Sequence, residues 1–133
     1  MIRKLMMIVL TISLLFCACA GDVNQVKRHI SPSEIYSEQE IGQAMDVVIR
    51  HFSREFRGCT LLELEYSDYR SEAGSAWALQ YGADEGIVLI SSFSVDASGG
   101  DGSLNPNSTY TNWQWILVRS NGGKWALKTW GYG

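Results

Sequence analysis

Apolar side chains recur along this chain at two different spacings, and the switches between them mark out its elements. Ile41, Ala44, Met45, Val48, Phe52 and Phe56 follow the three-and-four spacing of one helix face. Ahead of them, Ser37-Glu38-Gln39-Glu40 is a capping box, with Tyr36 placed to staple onto Ile41. Gly58 supplies a left-handed stop, so the spacing predicts a helix over Ser37–Arg57. Thr60 to Tyr66 alternates, predicting a half-buried strand with Leu62, Leu64 and Tyr66 on one face and Glu63 and Glu65 on the other. A second helix is expected over Arg70–Tyr81, with Ala73, Ala76, Trp77 and Tyr81 in a stripe, Gly82 as cap, and Gly74 weakening it. Gly86 to Ile90 is a continuous apolar run that passes into alternation through Val95, the pattern of a central strand.

Two further strands, Trp113–Arg119 and Lys124–Tyr132, flank Ser120-Asn121-Gly122-Gly123, a hairpin signal because Asn and Gly tolerate positive φ. A two-residue turn would pair Trp113 with Trp130 and Val118 with Trp125. A three-residue turn would pair Leu117 with Leu127 and Trp115 with Thr129. Both registers remain open, and both put large apolar side chains on each face of the hairpin. The expected architecture is α+β: a long N-terminal helix and a shorter second helix packed on a curved, mainly antiparallel four-stranded sheet. That layout resembles the nuclear-transport-factor-2-like or cystatin-like arrangement, which implies a cone-shaped cavity between helix and sheet.

The amino-terminal segment changes the picture from fold to location. Arg3 and Lys4 precede an apolar stretch from Leu5 to Phe16 and the small-residue boundary Cys17-Ala18-Cys19-Ala20-Gly21, the layout of a secretory signal. Ala18-Cys19-Ala20 fits cleavage before Gly21 and free secretion. Phe16-Cys17-Ala18-Cys19 resembles a lipobox, with Phe at the position where Leu is usual, and favours lipidation of Cys19. The expected division is 1–20 signal peptide, 21–30 tether and 31–133 a single domain. Losing Arg3 and Lys4 leaves 11 − 2 = 9 basic residues against 14 acidic, so no basic surface for nucleic acid is expected. With Cys19 lipidated, Cys59 is the domain's one cysteine, and it reads as a small buried hydrophobe.

Five segments are similar to an uncharacterised family of small exported proteins, some of them lipoproteins, of Gram-positive bacteria. They are Phe56–Leu61, Gln80–Glu85, Ser91–Phe93, Gly99–Pro106 and Trp113–Arg119. The resemblance implies export and a nuclear-transport-factor-2-like domain, and it names no catalytic residue.

Candidate chemistry concentrates in two places. The loop Asp96 to Asn112 is seventeen residues without periodicity, longer than the ~12–15 that compact domains usually carry without function. Asp96, Asp101 and Asn105 among its glycines suggest oxygen ligands for calcium, yet the spacing lacks the alternation and closing Glu of an EF-hand. No cofactor or metal is therefore assigned. The second place is an aromatic surplus: Trp77, Tyr81, Tyr110, Trp113, Trp115 and Trp130 are the ligand-binding candidates, since such side chains combine contact area with a polar tip. His51 and Glu55 sit four apart and read as a solvated helix flank.

No hydrolase, zincin or phosphate-loop motif is present. The expected function is an exported, lipid-anchored, non-enzymatic binding or accessory domain. Its partners would be the membrane through the anchor and a small molecule, peptide or protein, with a homodimer also open. The alternative is a small isomerase- or dehydratase-type enzyme using a buried carboxylate, with Asp84 or Glu85 as candidates.

Overall fold

A computed structural model describes residues 21–132; the expected signal segment and Cys19 lie outside the described residues. The elements in chain order are β1 (Lys27–Ile30), α1 (Glu38–Glu55), β2 (Cys59–Tyr66), a single 3-10 turn (Asp68–Arg70), α2 (Ser71–Gln80), β3 (Glu85–Val95), β4 (Thr109–Arg119) and β5 (Ala126–Tyr132). The strands lie side by side in sequence order in one sheet. β1 runs parallel to β2, and every other pair is antiparallel. The described residues are thus α+β, with two helices and a five-stranded mixed sheet.

α1 starts where the sequence places it. The Ser37 hydroxyl accepts from the Glu40 amide at 3.1 Å and the Glu40 carboxylate accepts from the Ser37 amide at 3.0 Å, closing the capping box. Ile41, Ala44, Met45, Val48 and Phe52 are buried against one face of the sheet. There they meet Leu61, Leu64, Leu89, Phe93, Trp115 and Leu117. Full burial of side chains this size contributes about 1.5–3 kcal/mol each, so this face is the main source of stability. The chain then turns at Gly58, whose φ of 72° favours glycine.

α2 covers the opposite face, over Val88, Ile90 and Ile116 with Trp77 packed on them. Its buried positions are Gly74 and Ala78, not the expected stripe through Ala73 and Ala76. Gly74 is the reason: a Cβ there would stand 2.3 Å from the Gly86 carbonyl, and one on Gly86 2.1 Å from the Gly74 carbonyl. Two glycines let helix and strand backbones touch. The glycine that weakens the helix by propensity is what seats it.

Several expectations are corrected. The sheet has five strands because Lys27–Ile30, read as part of a tether, pairs with Glu63–Tyr66. In β2 the register slips at Leu62, so Leu61 rather than Leu62 joins Leu64 and Tyr66 in the core, and Leu62 is exposed. β4 begins at Thr109, which shortens the irregular loop to residues 96–108. Its register slips between Tyr110 and Trp113, with Asn112 at φ 55°, and both aromatic rings face α1. In the hairpin Leu117 pairs with Leu127, but an extra residue at Lys128 then sets Trp115 opposite Trp130 and Trp113 opposite Tyr132. Neither simple register holds. Bulges of this kind bend a strand and increase its twist, curving the sheet around α1.

Candidate functional site

The two ends of α1 are built from different chemistry. At its N-terminal end Arg119, the last residue of β4, pairs with Glu85 at the start of β3 and with Glu40 in the first turn of α1. Its guanidinium carbon lies 4.3 Å from the Trp125 ring centroid and 5.7 Å from that of Tyr36. The Trp125 indole N–H donates to the Glu40 carbonyl at 3.1 Å. Burial works to lower the Arg119 pKa, and the hydrogen bonds it donates to Glu85 and Glu40 outweigh it and raise the value. The Glu40 carboxyl is held below the usual range, first by the Ser37 amide and then by Arg119. Asp84 accepts from the Asn121 amide at 2.7 Å and so ties the hairpin turn to the start of β3. Asp84 and Glu85, the candidate acids, are both engaged in holding elements together.

Beside this end lies a cleft of about 400 Å³ between α2, the start of β3 and the segment before α1. Its phenols are engaged. The Tyr66 hydroxyl donates to Asp68 at 2.6 Å, and the same carboxylate takes the Ser33 hydroxyl at 2.7 Å and the Glu34 amide at 2.8 Å. Burial first, then the Asp68 bond, pushes the Tyr66 pKa well above the ordinary phenol range.

The C-terminal end of α1 is an aromatic cluster. Phe52, Phe56, Phe93, Tyr110, Trp113 and Trp115 pack in a continuous chain of stacked and edge contacts, with centroids 4.8–6.4 Å apart. Trp115 is fully buried, and its indole donates to Ser91 at 2.8 Å, so this candidate belongs to the core. Tyr110 is also buried, and its hydroxyl accepts from the Asn105 amide at 3.0 Å, anchoring the loop. Trp113 is partly buried. Trp77 and Tyr81 stack on each other on the α2 side and do not join this cluster.

Trp130 and Tyr132, on edge strand β5, finish the cluster and remain open to solvent at 42% and 66%. The Trp130 ring lies 4.4 Å from His51 and 6.0 Å from Trp115; Tyr132 lies 5.4 Å from Trp113 and 5.5 Å from Tyr110. Two buried ring nitrogens here, His51 Nε2 and Trp113 Nε1, have no hydrogen-bond partner. Burial accordingly lowers the His51 pKa, and the Glu55 carboxylate only partly offsets it. Next to Trp130 opens a cleft of about 260 Å³, lined by Glu55, Phe56, Arg57, Cys59 and, from the loop, Gly100, Asp101, Ser103 and Leu104.

Sequence reasoning placed His51 on a solvated flank and left Tyr132 out of the candidate set. The missed signal was His51 standing seven residues after Ala44 and three after Val48, which keeps it on the edge of the buried stripe.

The loop's candidates serve the loop. Asp96 accepts from the Ser98 amide at 2.8 Å and Asp101 from the Ser103 amide at 2.9 Å. Both carboxyls sit below the usual range because these serines, hydroxyl first, hydrogen-bond to them. Asn105 contributes its backbone to Tyr110. Among the described residues no three His, Cys, Asp or Glu side chains gather as a metal site. Cys59 lines the cleft from below as a buried thiol, its pKa pushed up to about 11 by burial and then by Asp96 and Asp101.

Comparison with known proteins adds no relative: no family model, curated protein or solved structure matches the chain.

Proposed function

We propose that this chain is an exported, lipid-anchored binding domain that takes its ligand at the C-terminal end of α1, without catalysing a reaction. One observation carries the reading. Trp130 stays solvent-exposed on the wall of the cleft, and Tyr132 stays exposed two residues further along β5, although each is continuous with a dense aromatic core. Exposed aromatic surface over a polar-rimmed concavity is the usual form of a binding site. Export and the Cys19 anchor rest on the sequence, as does kinship with the exported Gram-positive family. A nuclear-transport-factor-2-like or cystatin-like reading of the fold is supported by a long helix lying in a curved sheet. The present fold departs from it in the parallel β1, in α2 on the far face, and in a concave side filled with side chains.

An acid–base enzyme would need a carboxyl at the end of an apolar cavity. Glu85 is bound to Arg119 and Asp84 to the hairpin turn, which favours binding over catalysis.

The test is a screen of envelope glycans, peptides and small metabolites against the mature protein, read by tryptophan fluorescence and calorimetry. Hits should be lost in Trp130→Ala, with a smaller loss of stability than a core truncation gives. A hit that survives Trp130→Ala/Tyr132→Ala and is abolished instead by changes at Arg70 or Ser75 would move the site to the α2 cleft and sink this assignment.

A further inference from the structure

Residues 21–30 do not form a tether, and this has a consequence for how the domain sits on a membrane. Gly21 is buried, and its amide donates to the Ser53 carbonyl at 3.0 Å, in the last turn of α1. A Cβ on Gly21 would stand 2.3 Å from the Phe52 carbonyl and 3.0 Å from that of Phe56, so the backbone is pressed against the helix end and only glycine fits. Asp22 continues the attachment: its amide donates to the Cys59 carbonyl at 2.9 Å and its carbonyl accepts from the Leu61 amide at 2.9 Å. The chain is therefore fixed to the domain from Gly21 onward.

Cys19 is two positions before Gly21. Two residues of fully extended chain span at most ~7 Å. Resting on the anchor proposed above, we infer that the C-terminal end of α1 is held against the lipid headgroups. The bilayer-facing surface would then comprise Phe56, Arg57, the 98–104 part of the loop, Trp130 and Tyr132.

Two further observations fit this surface. Tryptophan and tyrosine are the side chains favoured at headgroup depth, where the ring is half dehydrated and the polar tip stays wet. Trp130 lines the same cleft as Phe56, whose carbonyl abuts Gly21. The charges are not those of an electrostatic anchor. Asp22, Glu55, Asp96 and Asp101 outnumber Arg54 and Arg57, so anionic lipid should not strengthen the contact. The short leash and the aromatic rings hold the surface down. The cleft beside Trp130 would thus open onto the headgroup layer, and its ligand would be met there.

The experiment uses full-length protein expressed in a bacterium, purified in detergent as the lipidated form and reconstituted into phosphatidylethanolamine–phosphatidylglycerol vesicles carrying a nickel-chelating lipid. Spin labels are placed singly at Ser103→Cys, in the loop, or Lys124→Cys, by the hairpin turn at the far end of α1. The buried Cys59 thiol does not compete for label. Relaxation by headgroup nickel should be at least roughly fivefold greater at 103 than at 124, because the 18-residue α1 separates its ends by ~27 Å. The contrast should not depend on the phosphatidylglycerol fraction. A 20-residue Gly-Ser insertion between Ala20 and Gly21 should collapse it, since such a linker reaches ~25 Å.

Equal relaxation at both sites, or the reverse order, in protein whose mass spectrum shows a diacylglyceryl Cys19 would overturn the orientation and leave the anchor standing. Contrast that survives the insertion would overturn the leash as its cause. A mature N-terminus at Gly21 would overturn anchor and orientation together.

Discussion

The two ends of α1 are held by opposite means. At the N-terminal end the capping box, the Arg119 ion pairs and the Trp125 and Tyr36 rings satisfy one another, and the polar groups there are nearly all partnered. At the C-terminal end the packing is aromatic, two ring nitrogens lack partners, and Trp130 and Tyr132 face water. A fully satisfied network fixes the orientation of strands and helix and has little left to offer a ligand. An end with exposed rings and unmet polar atoms costs stability and keeps binding capacity. Substitutions at the first end should therefore read out mainly as stability, and those at the second mainly as binding.

The largest expected effect falls between the two ends. Phe52 is fully buried and touches Phe56, Phe93 and Trp115. Phe52→Ala should cost about 3–5 kcal/mol in urea unfolding, the range for large aromatic truncations in a packed core. A loss below about 1 kcal/mol would mean that α1 is not the scaffold on which both ends depend.

Arg119→Ala comes next. The side chain is 8% exposed while its carboxylate partners are 34% and 39% exposed. Fully buried pairs lose about 3–5 kcal/mol when one partner is removed, and solvent around Glu40 and Glu85 reduces this to about 1–3 kcal/mol. Binding at the other end should be unchanged. A variant of normal stability but reduced ligand affinity would reverse the comparison.

The loop gives a third and smaller effect. Replacing Gly99–Asn105 with a short Gly-Ser link removes the Leu104 side chain from the core edge and the Asn105–Tyr110 bond, about 1–2 kcal/mol together. The cleft wall formed by residues 100–104 goes with it, so affinity should fall further than stability. Loss of most of the stability would make the loop a structural part of the fold.

What could be read from the sequence follows from how local each signal is. The α1 boundaries, the capping box and the Gly58 stop were legible because they depend on neighbours within one turn. The presence of β2 to β5 followed from spacing, and the pairing of β4 with β5 from the Asn-Gly turn between them. The bulges at Leu62, near Asn112 and at Lys128 were not legible, because each is settled by what packs across the sheet rather than along the strand. Through them the tryptophan pairing, the Leu61/Leu62 choice and the loop length were all misread. β1 carries no alternation that a pattern could detect, since it is a short, charged edge strand held by pairing to β2 and by the Arg28–Asp46 ion pair at 2.7 Å. At the site, Trp130 was legible as an aromatic in excess of core needs. Its separation from buried Trp115 depended on the bulge.

A single substitution with a stability effect as small as that of the loop is the most specific to the open end. Trp130→Ala removes a half-exposed ring and should cost about 1–2 kcal/mol, below a core truncation because the ring already meets water. It also uncovers His51, whose pKa is lowered by burial. For a group whose folded pKa lies below its unfolded value, the unfolded chain binds the extra proton first. Its contribution to stability is then complete above the ordinary value of about 6.5 and is lost as pH falls from there through the folded value. The wild-type protein should therefore start to lose stability as pH falls below about 6.5, ahead of the ordinary carboxylate range. Trp130→Ala should flatten that slope by letting water reach the imidazole, and His51→Phe should abolish it while keeping the aromatic contact. Urea unfolding at half-unit pH steps would decide the matter. A slope unchanged in both variants would show that His51 is not the group responsible, and that the open end carries no strained polar atom.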